Sequence, residues 1–473
     1  MLEKNPGSPW SHRLRIIELF DAQLNAAMQM VFGKRMVHNA VDNETIHPSA
    51  FGSVPGRNAQ DALLEKLISY DMLRIERKNG AIFDCDAKGC YDRILPGFST
   101  LHTRRLGMPT NWAKFFSIFW RKCTHHIRTK FGISEKSFAM EENELLHGIG
   151  QGNGAGPALW LSHLIVMFDT IQKYCKGWIF SSPNQDVTFE SPGVGYVDDV
   201  TLGTCNKNED ETPQSLIQRI NNIAAFWEKL LHTNGGMLEL KKCFWVLIIW
   251  KWIDGVPKMS TVRDTPATLD LMQSQTKENI TVDRKEASEA PKVLGCHMSA
   301  DGEWKTEYVR WRTTSKDFST KVNRARFDRI CGSKIYPIMW VPKFRYIAPV
   351  IGFSRKKCDD IDKPVIGQCL PASGINRNFP RHVVLGSTLY GGLQWESSYT
   401  IQAYEKIRFF LKNVRTKSRL GNLIKILVET SQLSAGIEEN ILSTTVNWPL
   451  WTAPTWLTTL WSCSSSPYPS LIL

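Results

Sequence analysis

Three aspartates in short apolar segments carry the most chemistry: Asp86 in AIFDCDAKGCYD, and Asp198 with Asp199 in GVGYVDDVTLG. An apolar strand that ends in acid brings negative charge to the edge of a core, which is costly unless a positive partner compensates it. A pair of divalent cations is the compensator with the best chemical sense. Side chains alternate along a strand, so Asp84 and Asp86 share one face while Phe83 and Cys85 project into the other layer. Asp198 and Asp199 stand between the apolar runs 194–197 and 200–202, as the turn of a β-hairpin would. If strand and hairpin lie side by side, Asp86 and Asp198 can converge on two Mg2+ ions. Magnesium takes few carboxylates and completes its shell with water and phosphate oxygens, and two such ions suit in-line phosphoryl displacement. Seen alone, the acidic pair is equally well explained by the preference of Asp for turns.

The elements that would position these residues can be read from the rest of the 473 residues. The length fits several lobes rather than one compact domain. The composition, 42% hydrophobic and 22% charged, is that of a globular chain. Its net charge of +12 favours a polyanionic partner. Thirteen Lys or Arg against two acids (Asp317, Asp328) fall between Arg310 and Lys357. Within this stretch Arg310, Arg312, Lys316, Lys321, Arg324, Arg326, Lys343 and Arg345 alternate with Trp311, Phe318, Phe327, Tyr336, Trp340, Phe344 and Tyr346. Cations for phosphates and rings for bases are the components of a nucleic-acid track; a solvated helix face accounts for the charges but not for their concentration.

Eleven cysteines lack a CxxC pair or a disulfide spacing, and reduced intracellular thiols are expected. Cys123, His125 and His126 lie among Arg121, Lys122, Arg128 and Lys130, a basic surface patch rather than a metal set. No run reaches the length of a membrane span, and the N-terminus does not read as a signal peptide. Strand-then-helix patterning is expected over 13–36, a helix capped by Asn58 over DALLEKLISYDMLRIER, helices at NWAKFFSIFWRKC, ALWLSHLIVMFDTIQKYC and PQSLIQRINNIAAFWEKLLHTNG, a buried strand at FWVLIIWKW, and a polar loop over 258–291.

FDCDAKGCYDRI, GIGQGNGAGPALW and GYVDDVTLG, in that order, resemble the palm motifs of reverse transcriptases. HRLRII and SAFGSVPGRNAQDAL upstream resemble finger motifs, and GGMLELKKC and KVLGCHMSADG resemble those that follow the DD hairpin. The resemblance covers about residues 13–305, and DAKGCYD is most similar to elements of the non-LTR and group II intron type. It implies an α/β right-hand polymerase: fingers over 1–80 with parts of 95–145, palm over 81–257, a loop or insertion and palm-end strand motif over 258–305, a basic helical thumb over 306–412, and a helical region of unknown role over 413–473. It implies an RNA template, a DNA primer, dNTPs and two Mg2+ ions, with Mn2+ as the alternative. No membrane partner is implied; oligomeric state stays open, as does nucleus against cytoplasm.

Carried over by residue, the resemblance makes Asp86, Asp198 and Asp199 metal ligands and Tyr91 the ring that excludes a ribose 2′-hydroxyl. It sets Gln151 and Gly152 against the incoming nucleotide, Arg13 and Arg15 on its triphosphate, and Lys242 near the leaving pyrophosphate, with Lys241 an unresolved competitor. A phosphate-cradling P-loop is excluded, since GK[ST] is missing. The chain departs from the family at Gly150, at Asn153-Gly154, at Glu239 and in Arg15-Ile16-Ile17. Those departures keep a second reading open, a silent nucleic-acid-binding relic. An RNA-dependent RNA polymerase is a third, disfavoured by Tyr91. No endonuclease, RNase H carboxylate set or zinc knuckle is recognisable, so a fragment of a longer polyprotein is also a reading.

Overall fold

The structure is a computed structural model that describes residues 2–3, 14–15, 17–141, 144–208, 210–416 and 418–464. Among them, five strands make the central sheet: β1 (Gly80–Asp86), β2 (Gly193–Tyr196), β3 (Asp199–Cys205), β4 (Phe244–Ile248) and β5 (Asp283–Lys285). Their order is β5-β4-β1-β3-β2, antiparallel throughout except where β5 runs parallel to β4.

The two-residue period of the strands divides the molecule into two cores. Ala81, Phe83, Cys85, Val200, Leu202, Trp245 and Leu247 enter one core. There they meet the helices α2 (Gly156–Tyr174) and α3 (Pro213–Thr233). Ile82, Val194, Val246 and Ile248 enter the other, against α1 (Ala59–Ile75) and the C-terminal helices. The expected split of Asp84 from Phe83 and Cys85 follows from the same alternation.

Helix α1 begins at the expected cap: Asn58 accepts from the Asp61 amide at 2.8 Å, and Asp61 accepts from the Asn58 amide at 3.1 Å. Unlike an ordinary surface helix it is buried around its whole circumference, charged residues included. Asp61, Glu65, Lys66, Asp71 and Arg74 are all less than a tenth exposed. Each is paired. Lys66 meets Asp84 of β1 at 2.5 Å, Asp61 meets Lys412 at 2.8 Å, Glu65 meets Arg419, and Asp71 holds both Arg74 and the Trp456 amide. Lys412 closes the helix α6 (Ser398–Arg415), Arg419 opens α7 (Arg419–Ala435) and Trp456 opens α8 (Trp456–Ser464). The segment after 413, which carried no signal in the sequence, thus completes the core beneath the sheet. Two further helices, α4 (Lys305–Ala325) and α5 (Arg355–Ala372), pack on each other at its flank.

Two expectations change. The polar stretch 258–291, expected as a loop or insertion between strands, carries short strands of its own: Val256–Met259 pairs with Trp250–Ile253, Asp270–Met272 pairs with Asn279–Thr281, and β5 forms an edge of the central sheet. Its low apolar density reflects strands with one face or both in water. The N-terminal helix starts at Ala22 and runs through a π-helical turn, Gln29–Met36, to Asp42. No helix among the described residues is long and apolar enough to cross a membrane.

Removing one partner of a buried ion pair strands the other charge. Arg419→Ala, which leaves Glu65 buried without its cation, is expected to cost about 3–5 kcal/mol in chemical denaturation. Lys425→Ala, at an exposed position of the same helix, should change stability by less than about 0.5 kcal/mol. Equal effects of the two would show that the pair is not what docks α7.

Candidate active site

Strand register brings the acids together. Asp86, the last residue of β1, is the cross-strand partner of Asp199, the first of β3. The tight turn of the hairpin is Val197-Asp198, with Tyr196 opposite Asp199. This amends the expectation that both aspartates form the turn: Asp198 is at its tip and Asp199 is already in the strand. Val197 has φ +57°, an uncommon conformation for a β-branched residue. It is held there by the indole of Trp160, whose N–H donates to the Val197 carbonyl at 2.7 Å.

Of Lys241 and Lys242, Lys242 is the one whose ammonium meets an acid of the set. Lys242 Nζ lies 2.5 Å from Asp86 Oδ2, and this hydrogen bond raises its proton affinity above that of an ordinary lysine. The Asp86 carbonyl also accepts from the Glu239 amide at 2.9 Å. Partial desolvation, followed by the charges of Asp198, Asp86 and Asp84, pushes Asp199 up to about 6, with Lys66 opposing. Crowded carboxylates that raise one another's proton affinity are a ready site for cations. The oxygen donors are also of the hard type that Mg2+ prefers. Among the described residues, however, no three acidic, His or Cys side chains are gathered closely enough to hold a metal ion. The donor chemistry fits the ions; as the side chains stand, Lys242 engages Asp86 in their place.

Sequence reasoning set Asp84 aside and missed Lys66. Lys66 Nζ binds Asp84 Oδ1 at 2.5 Å and Thr201 Oγ1 at 3.2 Å, and Thr201 in turn donates to Asp84. Asp84 and Thr201 are cross-strand partners, two residues along the ladder from the Asp86–Asp199 pair. This buried triad therefore ties α1 to both acid-bearing strands directly beneath the acids. A charged Glu65-Lys66 pair inside the leucine-rich run LLEKLISY was the one available signal.

Tyr91 and the Gly-rich loop share a wall. The Tyr91 carbonyl accepts from the Ile149 amide at 2.7 Å, and its half-buried ring lies 6.4 Å from the Trp160 ring that also secures Val197. The Gln151 carbonyl accepts from the Glu18 amide at 2.8 Å. Gly152 has φ +119°, and a Cβ there would stand 2.5 Å from the Glu18 carbonyl oxygen, so only glycine fits. Asn153, a departure from the family pattern, organises the loop: its Oδ1 accepts from the amides of Ala155 (2.8 Å) and Gly156 (2.7 Å), while its Nδ2 donates to the carbonyls of Ile149 and Gly150. Arg13 lies outside the described residues. Arg15 is in a two-residue strand paired with Leu2.

In the basic segment Arg312, Lys316, Lys321, Arg324, Arg326 and Lys343 are exposed. Arg310 is bound by Glu307, and Arg345 by Glu396 and Glu405. The aromatic half of the expected track does not hold. Trp311, Tyr336, Trp340 and Phe344 are fully buried in the helical core, where no base could stack on them. Cys123 precedes, and His125 and His126 lie within, a largely exposed hairpin of strands Thr124–Thr129 and Gly132–Ala139.

Comparison with solved structures gives remote likeness. A telomerase from Candida albicans, in complex with the TWJ fragment of telomeric RNA, is 12% identical, with 89% of this chain and 55% of that one covered and a TM-score of 0.33. Apo telomerase from Candida Tropicalis is 11% identical, with 86% and 57% covered and a TM-score of 0.31. The chain therefore spans little more than half the length of those proteins, and scores this low do not establish a shared fold. No curated protein matches it by sequence. The sequence model of the family described as "Reverse transcriptase (RNA-dependent DNA polymerase)" matches residues 7–298, more than half of the chain, from before HRLRII into KVLGCHMSADG. The chain belongs to the reverse transcriptase family.

Proposed function

We propose that this chain is an RNA-directed DNA polymerase of a retroelement that extends a DNA primer with dNTPs on an RNA template. The observation that carries the reading is the register pair Asp86–Asp199 with Asp198 at the adjoining turn, faced by the Lys242 ammonium. Residues 1–80 with parts of 95–145 act as fingers, 81–257 as palm, 258–305 as the palm end and 306–412 as thumb.

Two Mg2+ ions, or Mn2+, held by Asp86, Asp198 and Asp199 would favour the primer alkoxide and neutralise the departing pyrophosphate. The chain's own groups do the rest. Lys242, charged at neutral pH as an ordinary lysine is, supplies a proton to the leaving pyrophosphate once its hydrogen bond to Asp86 is released. The Tyr91 ring fills the space that a ribose 2′-hydroxyl would need. The Gln151 amide donates to nucleotide or template without adding charge, and Gly152 lets the backbone approach closely. Arg13 and Arg15 clasp the triphosphate as bidentate donors. Arg312, Lys316, Lys321, Arg324, Arg326 and Lys343 bind backbone phosphates, with Arg310 and Arg345 contributing at the edge of that track.

One observation favours the rival, a silent nucleic-acid-binding relic: the Lys242 ammonium engages Asp86 directly. Primer extension decides. With Mg2+, an RNA template and a DNA primer, the purified chain is expected to incorporate dNTPs. A soluble protein that binds the template yet extends nothing would establish the relic. Asp198→Asn is expected to lower extension by at least about 100-fold while template affinity stays unchanged, because it removes charge stabilisation from the reacting phosphate. Retained activity in this variant would overturn the ligand assignment. Tyr91→Ala is expected to raise rNTP incorporation relative to dNTP by about 10-fold or more, the scale of one lost steric contact. An unchanged ratio would remove the gate.

A further inference from the structure

Far from the acids, on the opposite side of α1, a cavity of about 180 Å3 opens between α1, the turn 302–304, α5 and α8. Its wall includes Arg74, Lys357, Lys406, Thr455 and Thr459. Nothing in the polymerase chemistry uses it. Two of its cationic side chains lack hydrogen-bond acceptors. Lys406 is 0% exposed, and its ammonium, 5.0 Å from the Trp456 ring centre, has no hydrogen-bond partner among the described residues. Arg74 spends its terminal nitrogens on Asp71 and on the carbonyls of Asp301 (3.2 Å) and Pro454 (2.8 Å), which leaves its buried Nε without an acceptor. A buried charged donor left unpaired bears its full desolvation cost, and native structures rarely keep one without a reason.

The acids at hand do not supply that partner. Asp71 is turned to Arg74 and to the Trp456 amide at 2.6 Å and makes no hydrogen bond to Lys406, and Glu303 lies exposed at the rim. The remaining titratable neighbour of Lys406 is Cys463 on α8. Lys357 adds a third cation, half-buried, 5.5 Å from the Tyr308 ring centre. The cavity is shaped for this arrangement by Gly302 (φ +85°), whose missing side chain leaves room for the Arg74 guanidinium. We propose that this cavity binds a small free oxyanion of the phosphate class, inorganic phosphate or pyrophosphate, between Lys406, Lys357 and the Arg74 Nε–H. The anion supplies the missing acceptors and clamps α8 and the turn 302–304 onto α1. The space admits a compact anion and not a polymer, so the source is a free anion rather than a nucleic-acid backbone.

Burial pushes Lys406 down to about 7, with Cys463 and Asp71 opposing. The anion must therefore bind the protonated side chain and lose affinity above neutral pH. The test is thermal unfolding of the full chain in a phosphate-free buffer at pH 6.5, titrated with inorganic phosphate and, separately, with pyrophosphate at matched ionic strength. The expected result is a saturable rise in Tm, on the order of 2–3 °C, that is absent in Lys406→Met and weakened several-fold in affinity by Lys357→Met. Without anion, Lys406→Met should melt at or above the wild-type temperature, since it removes an unpaired buried charge; this separates loss of the site from misfolding. Sulfate, whose charge is constant between pH 6 and 8.5, should bind several-fold more tightly at the lower pH. A shift retained in Lys406→Met, an equal weakening by Lys363→Met at an exposed position of α5, or no saturable shift in the wild type would overturn the proposal.

Discussion

The burial of α1 with its charges is the constraint on which the rest of the molecule depends. An ion taken out of water costs several kcal/mol unless a well-placed partner answers it. The helix buries Asp61, Glu65, Lys66, Asp71 and Arg74 together, and no solvent-facing side remains to relieve them. The partners come from distant parts of the chain: Asp84 from the central sheet, Lys412 and Arg419 from the C-terminal helices, and the Trp456 amide from α8. Helix, sheet and C-terminal segment must therefore dock in one register, because any slip leaves an uncompensated charge in the core. Apolar packing alone would tolerate such slips far better.

That requirement reaches the active site through Lys66. By holding Asp84 and Thr201 at once, it pins β1 to β3 one same-face pair along the ladder from Asp86 and Asp199. A second route runs through Trp160, which fixes the strained Val197 turn with its indole N–H and lies beside the Tyr91 ring. The Asp86 strand, the hairpin and the Tyr91 ring are thus set by rigid neighbours and not by one another. This is what a site needs if it is to hold its geometry while like charges repel. Asn153 plays the same part for the Gly-rich loop, so a residue that breaks the family pattern still does structural work compatible with it.

The basic segment shows where pattern and position part company. Its charge excess is real and mostly exposed, but four of its seven aromatic residues are core residues of the helical half. Lys, Arg and Trp alternating along a chain can mean a stacking track or the two faces of amphipathic helices. Only the helical packing of α4 against α5 decides between them. The polar stretch 258–291 gave the opposite error: edge strands and small hairpins need few apolar residues, so their composition resembles that of a loop.

Short-range physics made much of this protein legible from its residues alone. Strand alternation separated Asp84 and Asp86 from Phe83 and Cys85, the Asn58 cap marked the start of α1, and ordered motifs named the family and the acids. Those features depend on neighbours within a few positions, and a linear chain records them. The choice of Lys242 over Lys241, the Lys66–Asp84–Thr201 triad, the insertion of residues 413–464 into the core and the unpaired ammonium of Lys406 were decided by tertiary structure. Each depends on which distant groups meet in a region poor in water. The energy of a buried charge is set by those partners and not by its place in the sequence.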